Sequence, residues 1–316
     1  MLMDPQAGSG YLAAVIVTYN SGEALPGLLD SLGAGLSGIR RTEVVVADNA
    51  STDDSVEIAS RHPIGARVIK TGRNGGYAAG INAALSVVPE EADVLILNPD
   101  IRLRPGAARP LVERLRKFGA GVAVPRLLHE DGTLVHSLRR EPSIVTAWAD
   151  ALLGTSLGSR IDVGECICDT RRYSTGARVD WGSGAALCVS ARARAKVSAW
   201  DESYFLYSEE VDFQRRVRDA GMGIAFVPES EMVHIGGDYR RNARLYAILT
   251  ANRIRYYRRH HGVVPTFMFR MAVVAGEVLR SLGGSPVHRA GLLATLRPWS
   301  PAHPAAPIGA PRLTDA

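Results

Sequence analysis

The sequence predicts an α/β fold: a mostly parallel sheet covered by helices on both faces. Three observations carry this: short continuous apolar runs of strand length, stretches of helical spacing between them, and polar residues gathered where the runs end. The first run spans 12–17, the second 43–47, the third 66–69 and the fourth 93–97. Between them, 24–36, 53–61 and 77–87 have helical spacing, with Ser51 or Thr52 as the cap of the second, and 105–118 follows with Pro105 at its first turn. In such sheets ligands bind at the carboxyl ends of strands, which here read Thr18-Tyr19-Asn20, Asp48-Asn49 and Asn98-Pro99-Asp100.

Beyond Pro125 the pattern weakens. A hairpin is expected around Asp131-Gly132, no clear element over 137–178, and a short strand over 185–189. A helix over 209–220, closed by Gly221, precedes a strand over 224–227 and an Arg- and Tyr-rich helix over 239–260. An amphipathic stretch at 267–282 leads to a Pro/Ala-rich tail expected to be disordered. The chain is thus divided into an α/β region, 1–238, a basic helical region, 239–297, and a tail, 298–316.

With 316 residues, 46% hydrophobic and 22% charged, and a mean hydropathy of +0.01, the chain has enough apolar content for one large or two smaller domains. That excludes wholesale disorder and a small disulfide scaffold. No apolar run reaches the roughly 18 residues of a spanning helix, and the N-terminus lacks the apolar core of a secretory signal. The expected location is cytoplasmic, with peripheral contact on the inner face of the membrane as a further expectation. The three cysteines, Cys166, Cys168 and Cys188, lack the spacing of a zinc site and read as ordinary thiols. Charge is split: residues 1–238 carry 25 basic and 30 acidic side chains, whereas 239–314 carry 12 arginines against Glu277 alone. The C-terminal region is therefore suited to an anionic partner, such as membrane headgroups or a lipid diphosphate. Nucleic acid is not expected, because no recognition motif accompanies the charge.

Two motifs mislead. Gly33-Ala34-Gly35-Leu36-Ser37-Gly38 spells the dinucleotide fingerprint G-x-G-x-x-G, but it follows a helix and precedes a strand, where no helix N-terminus meets a pyrophosphate. Asn49-Ala50-Ser51 spells a glycosylation sequon that is silent without export.

Other residues suit chemistry. Asp100, at the end of an apolar strand, is placed to hold a divalent cation gripping a nucleotide diphosphate, although Asn98-Pro99-Asp100 also serves as a plain turn. Glu209, Glu210 and Asp212 open a helix, where acids complement the dipole and Ser208 can cap. Their crowding also prepares one of them for proton abstraction. His234 can complete a metal shell begun by Asp100. Residues 71–82, with Arg73, Asn74 and Gly75, form a glycine-rich loop entering a helix and able to bring N–H groups to phosphates.

Over about residues 12–260 the chain resembles family 2 glycosyltransferases, and within them the bacterial rhamnosyltransferase-like group. The resemblance rests on the order of Val17-Thr18-Tyr19-Asn20, residues 46–53, Asn74-Gly75-Gly76-Tyr77 with Gly80 and Asn82, Asn98-Pro99-Asp100, Trp181-Gly182-Ser183-Gly184 and residues 209–212. It implies a GT-A fold in which Thr18, Tyr19, Asn20 and Asp48 approach the nucleotide and Asp48 contacts the base. It further implies that Asn98 and Asp100 stand in the D-x-D motif, that Asp100 and His234 hold Mg²⁺ or Mn²⁺, and that Trp181 and the turn at 182–184 shape the sugar pocket. Glu210 falls where the family carries a catalytic aspartate; the base remains open among Glu209, Glu210 and Asp212. The implied reaction is inverting transfer of a sugar, rhamnose by resemblance, from a nucleotide-diphosphate donor to a glycan or lipid-linked acceptor. A sugar nucleotidyltransferase and a non-catalytic sugar-nucleotide-binding or scaffold protein of the same fold are the rivals. The first would need a basic glycine-rich loop directly after the first strand, which Thr18-Tyr19-Asn20-Ser21-Gly22-Glu23 is not.

Overall fold

The computed structural model describes residues 10–175, 178–236 and 242–296. The tail expected at 298–316 lies outside the described residues.

The strands are β1 (Tyr11–Thr18), β2 (Arg41–Asp48), β3 (Arg67–Lys70), β4 (Asp93–Leu97), β5 (Ile101–Leu103), β6 (Val122–Leu128), β7 (Leu138–Arg139), β8 (Arg178–Val179), β9 (Trp181–Gly182), β10 (Ala186–Val189) and β11 (Ile224–His234). The helices are α1 (Leu25–Gly35), α2 (Ser55–Arg61), α3 (Tyr77–Leu85), α4 (Ala108–Phe118), α5 (Ile144–Arg160), α6 (Ala191–Lys196), α7 (Glu209–Asp219), α8 (Ala243–His260), α9 (Val263–Ser281) and α10 (Pro286–Leu296). The main sheet runs β3-β2-β1-β4-β10-β6-β11-β5, with β8 on β11 and a separate β7-β9 pair. Strands β1 to β4 pair in parallel, whereas β10 enters antiparallel between β4 and β6.

Every residue of β1 is buried, and alternate side chains enter two different cores. Ala13, Val15 and Val17 join Ala78, Ile81, Phe213 and Val217 on one face. Leu12, Ala14 and Ile16 join α1 and α4 on the other. This double burial is why the strands read as continuous apolar runs.

Several local expectations change. Helix α4 begins at Ala108 rather than at Pro105, and the N-cap position of α2 is Asp54, which makes no side-chain cap, while Ser51 turns to the β2 loop. Ser208 sits at φ 73° and makes no side-chain cap. Strand β11 does not stop before Pro228; a register shift between Val227 and Glu231 carries it on to His234. Proline lacks the ladder N–H, and the bulge absorbs the missing bond. Within 137–178, where no element was legible, lies α5, broken at Gly154 (φ 68°). The hairpin turn at Asp131-Gly132 is present, His129 and Thr133 being joined across it.

Candidate active site

The carboxyl ends of β1 and β2 form one stitched edge. The Asp48 carboxylate accepts from the Thr18 hydroxyl (2.9 Å), the Ser51 hydroxyl (2.5 Å) and the Ser51 N–H (3.0 Å). Asn20, at φ 50°, accepts from the Thr52 N–H (2.8 Å), and the Gly22 N–H donates to Asp53 (2.8 Å). These short polar bonds hold two loops of positive φ in register, with Asp48 as the hub. Tyr19 stands half-buried beside them.

From β2 the structure passes to the glycine-rich loop. The Asn49 amide donates to the Gly76 carbonyl (2.8 Å), Asn74 accepts from the Gly76 N–H (3.1 Å), and the Tyr77 N–H donates to the Phe205 carbonyl (2.7 Å). Gly76 has φ 89°, and a Cβ there would lie 2.0 Å from that carbonyl oxygen, so only glycine fits. Gly75 lies on the same turn, and Arg73 is largely exposed, its guanidinium 3.9 Å from Glu202.

The antiparallel pairing of β11 with β5 brings two distant residues together. His234 is opposite Ile101, the Ile235 N–H donates to the Asp100 carbonyl (3.0 Å), and His234 Nε2 lies 3.2 Å from Asp100 Oδ2. That contact lacks hydrogen-bond geometry: His234 Nε2 and Asp100 Oδ1 are both buried without a partner. Two donor atoms side by side and unsatisfied are what a cation needs, since neighbouring ligand atoms on one small divalent ion lie about 3 Å apart. The residues therefore fit the implied metal. Among the described residues no cluster of three or more His, Cys, Asp or Glu side chains is set to bind one. Asn98 lies two residues before Asp100, its N–H bonded to the Ala185 carbonyl (2.9 Å).

The three carboxylates of α7 do not share one environment. Burial pushes the Glu209 carboxyl well up, and the Glu210 charge pushes it further. Burial raises Glu210 as well. Each has an Oε2 buried without a partner, but Glu209 is sealed while Glu210 is half-buried against Gly184. Asp212 is different. Burial pushes it up, but the His260 hydrogen bond (3.0 Å), Arg216 (2.8 Å) and Arg259 (3.4 Å) outweigh this and hold it below the ordinary range. It ties α7 to α8. The expectation that all three acids crowd together is thereby corrected: two do, and the third is paired with cations.

Tyr77 joins the two halves of the site. Its hydroxyl donates to the Gly184 carbonyl (3.1 Å), and its pKa is raised well up by burial and then by the charges of Glu209, Glu210 and Asp100. Trp181 does not offer a free face to a sugar. It is buried with Tyr204, Val211 and Tyr256, and its indole N–H donates to the Arg140 carbonyl (2.9 Å). A side chain with an apolar body and one polar tip is satisfied by that setting.

Two positioning residues escaped the sequence. Gln214, fully buried, bonds the Gly182 N–H (2.9 Å) and carbonyl (2.8 Å) like a strand edge, fixing the turn at 182–184 to α7. Asn252, on α8, donates to the carbonyls of Tyr204 (2.7 Å), Leu206 (2.8 Å) and Tyr207 (3.2 Å). It clamps a segment in which Phe205, Tyr207 and Ser208 all have positive φ, directly before the α7 acids. The only sequence signal for either is an uncharged amide on the buried face of a helix.

A mostly parallel sheet with a polar edge at its strand ends, and a carboxylate–histidine pair and buried acids beyond it, gives the fold of the GT-A glycosyltransferases. The model of "Glycosyl transferase family 2" matches residues 13–169. An "N-acetylglucosaminyl-diphospho-decaprenol L-rhamnosyltransferase" of Mycobacterium tuberculosis (strain H37Rv) is 31% identical over 234 residues, 71% of this chain and 75% of the relative. The "Rhamnosyltransferase WbbL" of Escherichia coli (strain K12) is 24% identical over 228 residues, 70% of this chain and 81% of the relative. Among solved structures, the mannosyltransferase PcManGT from Pyrobaculum calidifontis in complex with GDP-Man and Mn²⁺ has a TM-score of 0.56 at 14% identity, covering 90% of this chain and 85% of that one. The chain belongs to glycosyltransferase family 2 and is a glycosyltransferase of the rhamnosyltransferase-like group.

Proposed function

We propose that this glycosyltransferase moves a hexose, rhamnose by likeness to its relatives, from a nucleotide-diphosphate donor to a hydroxyl of a lipid-linked saccharide, with inversion. The observation that carries this is that the half-buried, proton-avid Glu210 and Asp100, whose Oδ1 and the neighbouring His234 Nε2 are unsatisfied, both lie close enough to Tyr77 for their charges to raise its pKa.

The donor lies across the strand ends. Thr18, Tyr19, Asn20 and Asp48 form its base pocket, and Arg73, Asn74 and Gly75 meet its ribose or phosphates. Asp100 and His234, with Asn98 beside them, are the residues that would hold Mg²⁺ or Mn²⁺, which when bound supplies positive charge for the departing diphosphate. Glu210 takes the proton of the acceptor hydroxyl, whose oxygen bonds to the anomeric carbon as the bond from that carbon to the diphosphate breaks. Raised basicity suits Glu210 to this. Glu209 is sealed from the cleft, and Asp212, held ionised by the His260 hydrogen bond and by Arg216 and Arg259, is a weak base that positions α7 instead. Trp181 supports the acidic turn from behind.

Glu210→Gln keeps the shape and removes the base. Transfer should fall by about 10³-fold, within the range for a general base, while donor affinity by calorimetry stays the same. Turnover within a few-fold of wild type would overturn the assignment.

A further inference from the structure

Helix α9 is apolar on two opposite sides. Phe269, Ala272, Val273 and Gly276 face inward, where Phe269, Ala272 and Val273 pack with Ala147 and Tyr257. At about 100° per residue, positions 263, 264, 267, 268, 271, 274, 275, 278, 279 and 282 fall within one arc of about 160° on the other side. No charged residue lies on that arc. Val264 is 70% exposed, Phe267 60% and Leu282 80%, with Val263, Met268 and Leu279 exposed beside them. A helix side that is apolar along its length is normally buried, and this stripe runs about 28 Å, the length of the helix. Yet no helix among the described residues is long and apolar enough to cross a membrane.

Charge narrows the occupant. Residues 242–296 hold eight arginines and one glutamate; Glu277 is buried on Tyr246 and His288, Arg253 and Arg259 are paired with acids outside the segment, and Arg244, Arg258 and Arg289 are exposed. A second copy docked here would bring together two C-terminal regions of the same net charge. The segment 297–316 carries too few large apolar side chains (Trp299, Ile308, Leu313) to cover about five turns of helix. An anionic lipid surface satisfies both the apolar stripe and the basic surroundings.

We infer that the outward stripe of α9 lies in the headgroup layer of an anionic membrane, seating the enzyme in the plane of its acceptor's lipid. This deepens the proposed function and rests on the lipid-linked acceptor for its purpose. Helix α8 connects the stripe to the site, since Asn252 and His260 on it hold the segment and acid of α7 described above.

The test is flotation with vesicles of phosphatidylglycerol and phosphatidylcholine, or of phosphatidylcholine alone, with neither donor nor acceptor present. Wild type should float with the anionic vesicles and at least tenfold less with the neutral ones. Phe267→Glu/Leu282→Glu should lose at least tenfold of that binding while its melting curve and its transfer to a water-soluble acceptor stay unchanged. If the pair melts early, Leu282→Glu alone, at the exposed helix end, carries the comparison. Absence of wild-type flotation, equal flotation of the variants, or a wild-type dimer in light scattering that the variant dissolves would each overturn the inference. Failure of transfer with flotation intact would instead count against the proposed reaction.

Discussion

Replacing Asn252 by leucine removes a clamp while nearly conserving volume. The two N–H bonds of one amide are shared among three carbonyls at 2.7, 2.8 and 3.2 Å, in a position that is 8% exposed. Each bond contributes about 1 kcal/mol net, and a carbonyl left buried without a donor costs about 1–3 kcal/mol. The sum is about 3 kcal/mol, or ~6 °C in melting temperature for a chain of this size. Three non-glycine residues at φ 63°, 67° and 73° then lose what holds them, each storing about 1–3 kcal/mol of strain. The segment relaxes, and Glu210 moves with it. Because misplacement by about 1 Å costs about 100-fold in rate, kcat should fall by that factor with little change in donor affinity. Urea denaturation gives the stability, and steady-state transfer separates kcat from binding. A variant that melts early yet keeps kcat within about twofold of wild type would show that the clamp serves stability alone.

Asp212→Asn leaves Arg216, Arg259 and His260 facing a neutral amide; discounting for their partial exposure, the fold should lose about 2 kcal/mol by urea titration. Acid works on the same acid: the low Asp212 pKa gives stability present above its unfolded value of about 3.9 and lost as pH falls, so the wild-type advantage over this variant should shrink on acidification. Glu209 has the opposite sign. Its raised pKa gives stability that is complete below about 4.3 and lost as pH rises through the folded value, so Glu209→Gln should gain stability over wild type at pH 8 and not at pH 4 in thermal melts. His234→Ala should weaken donor binding at least tenfold in the presence of Mn²⁺ and have little effect in EDTA; equal loss in both conditions would deny His234 a part in holding the ion.

Much of the fold was legible because its signals are local. Residues 12–17 and 94–97 are apolar throughout, as a strand buried on both faces requires, and the polar edge Thr18, Asp48 and Asp100 follows from where those runs stop. Helix α5 was not legible, because Gly154 interrupts it and its packing partner α9 lies more than a hundred residues on. Strand β11 was read too short, since Pro228 ends a strand by local rules and only pairing with β6 and β5 carries the chain past it.

The same division runs through the site. The sequence alone determined which residue types stand at the strand ends and at the start of α7, because strand period, helix caps and glycine turns depend on near neighbours. It could not assign different settings to Glu209, Glu210 and Asp212, which are adjacent in the chain. Desolvation and charge pairing depend on whatever fills the surrounding few ångströms, and for Asp212 that includes His260 and Arg259, brought from α8 only by the folded chain. The partnership of Asp100 with His234, too, exists only because β5 and β11 run antiparallel in one sheet.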